Sequence, residues 1–304
     1  MRRHNFLKLS ARAVMLAALM NCASLASARA EHLIERGSYL VNTILACGNC
    51  HTPKTRLGAA VPERNLAGGG LVFTTPAFDA TAPNITPDPE TGIGTWSGDD
   101  IKRALTEGIR PPHARLPGVP LAAIMPAGFY KALLPRDLDA IVAYLRSVKP
   151  IRNEVPVPVY KVPVVRDVYP DSETGFSESA IRDPVKLGAY LGTIGICMEC
   201  HSARANGVSD FRNGLGKGGR KFGPFLAQGF PEAWAGSTAA NITSHPAAGI
   251  GAWSDTEIKR AITQGVSRDG RTLKPPMAFT WYAGMSAADL DGIVAWLRSI
   301  PPLE

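Results

Sequence analysis

Apolar residues fall at helical spacing in this chain, and they do so twice in the same order. Ile101, Ala104 and Leu105 line one face of a predicted helix, and Ile258, Ala261 and Ile262 line the face of another. Ser97 stands three residues before Asp100, and Ser254 three before Glu257. Each pair is a capping box, in which side chain and backbone satisfy each other's orphan groups at a helix start. Gly108 and Gly265 are natural stops. A second helix follows in each case. Leu138, Ile141, Val142 and Leu145 mark its face after Pro135, which suits the first helical position. Leu290, Ile293, Val294 and Leu297 mark the later one, with Ser286 and Asp289 as its cap. A further helix near the start of each copy carries Gly37 and Tyr39, or Gly188 and Tyr190. Strand-like alternation is scarce, so the pattern predicts an all-α fold with three main helices in each copy.

The two copies are an internal repeat. Asn84-Ile85-Thr86, Gly92-Ile93-Gly94 and Trp96-Ser97 recur as Asn241-Ile242-Thr243, Gly249-Ile250-Gly251 and Trp253-Ser254, at a constant offset of 157 residues. Between the copies lies a run rich in proline and valine, Val155-Pro156-Val157-Pro158-Val159-Tyr160-Lys161-Val162-Pro163. Its composition predicts extended backbone packed along a domain surface. The expected organisation is a leader over 1–30, a first domain over 31–150, a linker over 151–181 and a second domain over 182–304.

Each copy holds one Cys-x-x-Cys-His: Cys47-Gly48-Asn49-Cys50-His51 and Cys197-Met198-Glu199-Cys200-His201. This spacing is the attachment site of a c-type haem. Cys47 and Cys50, like Cys197 and Cys200, share one side of a helical turn and can add across the two haem vinyl groups. His51 and His201 follow directly and are the expected proximal iron ligands. A four-thiolate zinc site would have to unite pairs 150 residues apart. Neither zinc nor a redox disulfide explains a histidine after the second cysteine both times.

The N-terminus bears on compartment and charge. Arg2, Arg3, Lys8 and Arg12 precede a short apolar run from Ala13 to Met20, and Ala28-Arg29-Ala30 offers a cleavage site. This predicts export and cleavage after Ala30, giving a soluble periplasmic protein with no transmembrane anchor. Residues 1–30 hold five of the 33 basic residues and none of the 26 acidic ones. The remainder has 28 basic against 26 acidic residues, a net charge of +2 where the whole chain has +7. The basic character thus belongs to the leader, and nucleic acid is not an expected partner.

A sixth ligand distinguishes an electron-transfer haem, whose axial positions are both filled, from a catalytic one with an open position. Met125 lies 13 residues before Leu138, and Met277 lies 13 before Leu290. Two methionines in register, 74 and 76 residues after His51 and His201, are the candidate distal ligands. Met285 aligns with Leu133 and is expected to pack in the core. His113 and His245 lack counterparts and are expected in loops or on the surface.

Both copies resemble class I cytochrome c domains. Asn84 to Ser97, followed by Ile101-Lys102-Arg103-Ala104-Leu105 and by Met125-Pro126, is similar to the cytochrome c subunits of bacterial membrane-bound alcohol, aldehyde and gluconate dehydrogenases. The second copy departs at Ser244-His245-Pro246. The resemblance implies two covalently bound haem c groups and transfer of electrons from a periplasmic or membrane-bound dehydrogenase to a downstream cytochrome or terminal oxidase. The chain would then be an electron carrier rather than an enzyme. The competing enzymatic reading is a diheme peroxidase or a thiosulfate-oxidising cytochrome. The resemblance also implies that Gly37 and Tyr39 pack on Tyr144, and Gly188 and Tyr190 on Trp296.

Overall fold

Glycines decide how the longest helices meet. In a computed structural model, which describes residues 31–205, 207–223, 229–231 and 233–304, α1 (31–42) crosses α5 (Pro135–Ser147) at Gly37. A Cβ on Gly37 would lie 1.9 Å from the Ala140 carbonyl oxygen and 2.7 Å from the Tyr144 Cβ. The second half repeats the crossing with α7 (Pro184–Ile194) and α11 (Ala287–Ser299). There a Cβ on Gly188 would lie 1.9 Å from the Gly292 carbonyl oxygen and 2.7 Å from the Trp296 Cβ. The leader expected over 1–30, with cleavage after Ala30, lies outside the described residues.

Two ten-residue helices, α3 (Gly98–Glu107) and α9 (Asp255–Gln264), open on complete capping boxes at Ser97 and Ser254. Both end at a glycine in the left-handed region, Gly108 at φ 70° and Gly265 at φ 65°. The buried faces are those set by helical spacing, led by Ile101, Ala104 and Leu105 in α3 and by Ile258 in α9. Four-residue helices, α4 (Ala127–Tyr130) and α10 (Phe279–Tyr282), precede the final helix of each half.

The all-α expectation is corrected here, because helices make up only 36 % of the structure and antiparallel sheets accompany them. The main sheet is β1 (Val72–Thr74), β2 (Phe78–Thr81) and β3 (Val159–Tyr160), in that order. Two more antiparallel pairs lie in the second half: β4 (Arg204–Ala205) with β5 (Val208–Ser209), and β6 (Lys221–Phe222) with β7 (Ser237–Thr238). These strands run two to four residues, too short for a period of two to stand out in the sequence. They form where loops wrap the attachment helices, and neighbouring backbone then takes up the exposed N–H and carbonyl groups.

The proline-rich stretch joins this wrapping. Besides β3 pairing with β2, Lys161 N–H donates to the Ala77 carbonyl at 2.9 Å, and Tyr160 donates to the Pro120 carbonyl at 2.6 Å. A short α6 (Pro170–Thr174) follows. Just before it, Tyr169 stacks on Phe129 of the first half at 5.5 Å and meets Phe211 of the second edge-on at 5.3 Å. Phe129 also meets Phe211 at 5.7 Å, so three rings from three segments close the junction.

The tyrosines differ from the resemblance. Gly37 and Gly188 do pack beneath Tyr144 and Trp296, but Tyr39 and Tyr190 cross to the opposite half. Tyr190 donates to Asp137 Oδ2 at 2.5 Å, and its oxygen accepts the Leu134 N–H at 3.4 Å, at the start of α5. Tyr39 donates to Asp289, and its oxygen accepts the Ser286 N–H at 3.0 Å, at the start of α11. Each half thus caps a helix of the other. Asp137, with 0 % side-chain exposure, also takes a two-pronged bond from Arg36 at 2.9 Å on each oxygen.

Gly37→Ala should therefore lower stability by about 1–3 kcal/mol, because α1 must lift off α5. A reduced denaturant midpoint in guanidinium melts is the readout. Burial raises the phenol pKa of Tyr190, of Tyr130 and of Tyr282. A phenol whose folded pKa lies above its unfolded value stabilises fully below that value, about 10, and loses the contribution as pH rises beyond it. Denaturant midpoints should hold steady up to about pH 9 and fall steadily above about pH 10.

Candidate haem-binding sites

Each Cys-x-x-Cys-His occupies a five-residue helix, α2 (Cys47–His51) or α8 (Cys197–His201). Helices this short do not persist alone, so the surrounding chain imposes them. Directly before each, a non-glycine residue turns left-handed: Ala46 at φ 45°, ψ 41° and Ile196 at φ 55°, ψ 27°. This conformation costs an ordinary residue about 1–2 kcal/mol, and for a β-branched Ile it is a true outlier. Both outliers sit at the same point of the repeat, where the chain leaves α1 or α7 and enters the motif. Such strain persists only where packing overrules it, and it concentrates at functional sites.

The four cysteines are half-buried and form no disulfide. Burial, ahead of neighbouring charge, pushes Cys47 and Cys200 up to about 12 and Cys50 and Cys197 up to about 11. They are neutral thiols at ordinary pH. A reactive redox cysteine is shifted the other way, toward the thiolate. Among the described residues no three His, Cys, Asp or Glu side chains converge as a metal-ion cluster requires. The donor set fits haem held by neutral thioethers.

The histidines are fixed by the backbone. His51 Nδ1 lies 2.7 Å from the Pro83 carbonyl, and His201 Nδ1 lies 2.8 Å from the Ala240 carbonyl. A carbonyl only accepts, so Nδ1 carries the hydrogen and Nε2 keeps its lone pair. Burial, the leading influence, lowers the pKa of both rings, and the carbonyl bond partly offsets it. A neutral imidazole with Nε2 free and Nδ1 tied is the form that ligates a metal.

The two carbonyls are themselves anchored. Asn84, next to Pro83, accepts from Thr86 N–H at 2.9 Å and from its hydroxyl at 2.8 Å, and donates to the Ile151 carbonyl at 2.7 Å. Asn241, next to Ala240, accepts from Thr243 at 2.9 and 2.7 Å and donates to the Leu303 carbonyl at 2.6 Å. The Asn-Ile-Thr triplets served the sequence reading only as repeat markers. Their role is to hold the loops that hold the histidines, and only tertiary contact reveals it. The departure at His245 is likewise explained. Asp88 caps a turn by accepting from Glu90 and Thr91 N–H, and His245 Nδ1 accepts from Ala247 and Ala248 N–H at the equivalent place.

Met125 and Met277 occupy matching places, each two residues ahead of α4 or α10, and both are half-buried. Arg166, from the segment between the halves, clamps the first. Its guanidinium donates to the carbonyls of Ala122 at 3.1 Å, Met125 at 3.2 Å and Gly108 at 3.3 Å, and to that of Leu121. The loop of Met277 is held from both halves: Ser237 donates to the Pro275 carbonyl at 2.6 Å and Asn49 to the Pro276 carbonyl at 3.4 Å. Met285 packs against the core. His113 is exposed beside Asp100 at 3.5 Å.

The sequence did not show that the two motifs adjoin. A Cβ on Gly48, inside the first motif, would lie 2.0 Å from the Trp281 indole of the second half. Tyr130 lies within electrostatic reach of Cys47, Cys50 and Glu199, and Tyr282 within reach of Cys197, Cys200 and Cys50. The two sites therefore share one buried junction. No helix among the described residues is long and apolar enough to cross a membrane.

No protein-family model matches the chain. Individual proteins do. The cytochrome c subunit of a quinone-dependent alcohol dehydrogenase from Gluconobacter oxydans is 31 % identical over 247 residues, covering 77 % of this chain and 47 % of that protein. The gluconate 2-dehydrogenase cytochrome c subunit of Pantoea cypripedii is 29 % identical over 246 residues, covering 77 % and 52 %. A diheme cytochrome c-type protein of Cereibacter sphaeroides is 26 % identical over 269 residues, covering 85 % and 83 %. The chain spans about half the length of the two dehydrogenase subunits. With its two Cys-x-x-Cys-His helices and carbonyl-tethered histidines, the chain belongs with the c-type cytochromes and is similar to the cytochrome c subunits of bacterial alcohol and gluconate dehydrogenases.

Proposed function

We propose that this chain is a periplasmic diheme cytochrome c that relays electrons from a dehydrogenase to a downstream cytochrome or terminal oxidase. Residues 31–150 and 182–304 are its two haem domains, 151–181 join them, and 1–30 direct export. Cys47 and Cys50 hold the first haem through thioether bonds, and Cys197 and Cys200 hold the second. When bound, haem c supplies an iron that passes between ferric and ferrous states by one electron. His51 and His201 present Nε2 as the proximal ligand, with orientation set by the Pro83 and Ala240 carbonyls. Met125 and Met277 would supply thioether sulfur to the iron, a ligand that favours the ferrous state and raises the potential. Arg166 keeps the Met125 loop from swinging away, so the ligand set need not rearrange when the charge changes. The observation that carries the reading is the identical tethering of two histidines, each ending a Cys-x-x-Cys-His helix.

Mass spectrometry of protein matured in a bacterial periplasm should show two covalent haem increments. Cys47→Ala/Cys50→Ala should lose one and keep the other, and a product without any covalent haem would falsify the proposal. Met125→Ala should lower the potential of one haem and abolish its sulfur-to-iron charge-transfer band. An unchanged band would remove Met125 as a ligand.

A further inference from the structure

The two attachment helices share a fold but not an electrostatic setting. In α8, Glu199 pairs with Arg220 at 3.1 Å, with side chains only 13 % and 18 % exposed, and Arg220 also donates to the Glu199 carbonyl at 2.7 Å. Arg204 and Asp167 form a second pair nearby at 3.9 Å. Each of these two arginines beside the second motif faces a carboxylate.

In α2 the position of Glu199 is taken by Asn49, and that of Arg220 by Gly70. A Cβ on Gly70 would lie 2.1 Å from the Thr52 carbonyl oxygen and 2.4 Å from that of Cys50, so no side chain fits there. The charge at the first site comes instead from Lys54, three residues after His51. Its ammonium donates to Asn49 Oδ1 at 3.1 Å and lies 5.0 Å above the ring of Phe230, which reaches over from the second half. Neither partner is an anion, and among the described residues Lys54 forms no ion pair. Lys54 is half-buried.

We propose that Lys54 sets the reduction potential of the first haem above that of the second, so that an electron arriving at the second haem drains to the first. This rests on the diheme reading above. Reduction adds one negative charge at the iron, and an unbalanced cation in a low-dielectric junction stabilises that state. A matched ion pair presents a dipole, whose field falls off faster. The expected axial ligands are the same in both halves, so they cancel in the difference and the unmatched charge remains. Phe230 keeps Lys54 over the junction and limits its hydration.

Redox titration of the holoprotein, followed in the visible bands, tests this with Lys54→Arg, Lys54→Gln, Lys54→Glu and Asn49→Asp. The native protein should titrate in two resolved steps. The single-haem Cys47→Ala/Cys50→Ala form should retain only the lower. Lys54→Arg should leave the upper step in place, Lys54→Gln should lower it and Lys54→Glu should lower it further, with the lower step unmoved throughout. Asn49→Asp, which gives Lys54 the anion that Arg220 already has, should also lower the upper step. A purely structural latch through Phe230 would make the effect follow side-chain shape, with Arg and Gln alike. That pattern, an unmoved upper step, equal shifts of both steps, or one unresolved native step overturns the proposal while the diheme reading stands. A protein lacking two covalent haems overturns both.

Discussion

Two imidazoles are each tied at one ring nitrogen to a backbone carbonyl, and much of the chain's local structure converges on those two contacts. The attachment helices are five residues long and cannot orient a side chain unaided. The orientation is imported through a series of contacts. Gly37 and Gly188 let α1 meet α5 and α7 meet α11 at backbone distance. The segments that leave α5 and α11 then present the Ile151 and Leu303 carbonyls, which Asn84 and Asn241 grip. Those asparagines fix the Pro83 and Ala240 carbonyls that receive the histidines. The left-handed Ala46 and Ile196 are the strain left over when a short motif is made to fit this frame.

The junction between the halves obeys the same economy of parts. Tyr39 and Tyr190 lie on the helices that lead into the attachment motifs, and each closes the start of a helix in the other half. Docking of the halves is thereby coupled to the position of both motifs. Asp137, itself fully buried, binds Tyr190 and Arg36. A buried charge cluster contributes little net stability once formed, but leaving it half-formed is strongly unfavourable, which selects one arrangement of the halves over others. The rings of Phe129, Tyr169 and Phe211 fill the remaining space with apolar contact.

The internal repeat presents two sites with one construction and two environments. Where the second half has Glu199 and Arg220, the first has Asn49 and a glycine pressed against the Cys50 carbonyl. No side chain fits at Gly70, and the cation beside the first motif is Lys54, which bonds to Asn49.

The two Cys-x-x-Cys-His pentamers, the capping boxes and the helical faces were legible from residue order alone, because each is a local pattern. The helices from Ser97, Ser254, Pro135 and Ser286 follow from such patterns. The fold class did not follow. Strands of two to four residues leave no periodic trace and form only when distant backbone supplies partners, as β3 does for β2. Nor did the roles of Asn84, Arg166 or Lys54, whose partners lie up to 176 residues away along the chain. Local sequence determined the motifs and the helices around them. Tertiary packing alone decided how each imidazole is aimed, that the two motifs share a junction, and which of them has, among the described residues, a cation without an anionic partner, because each of these depends on groups meeting across long stretches of chain.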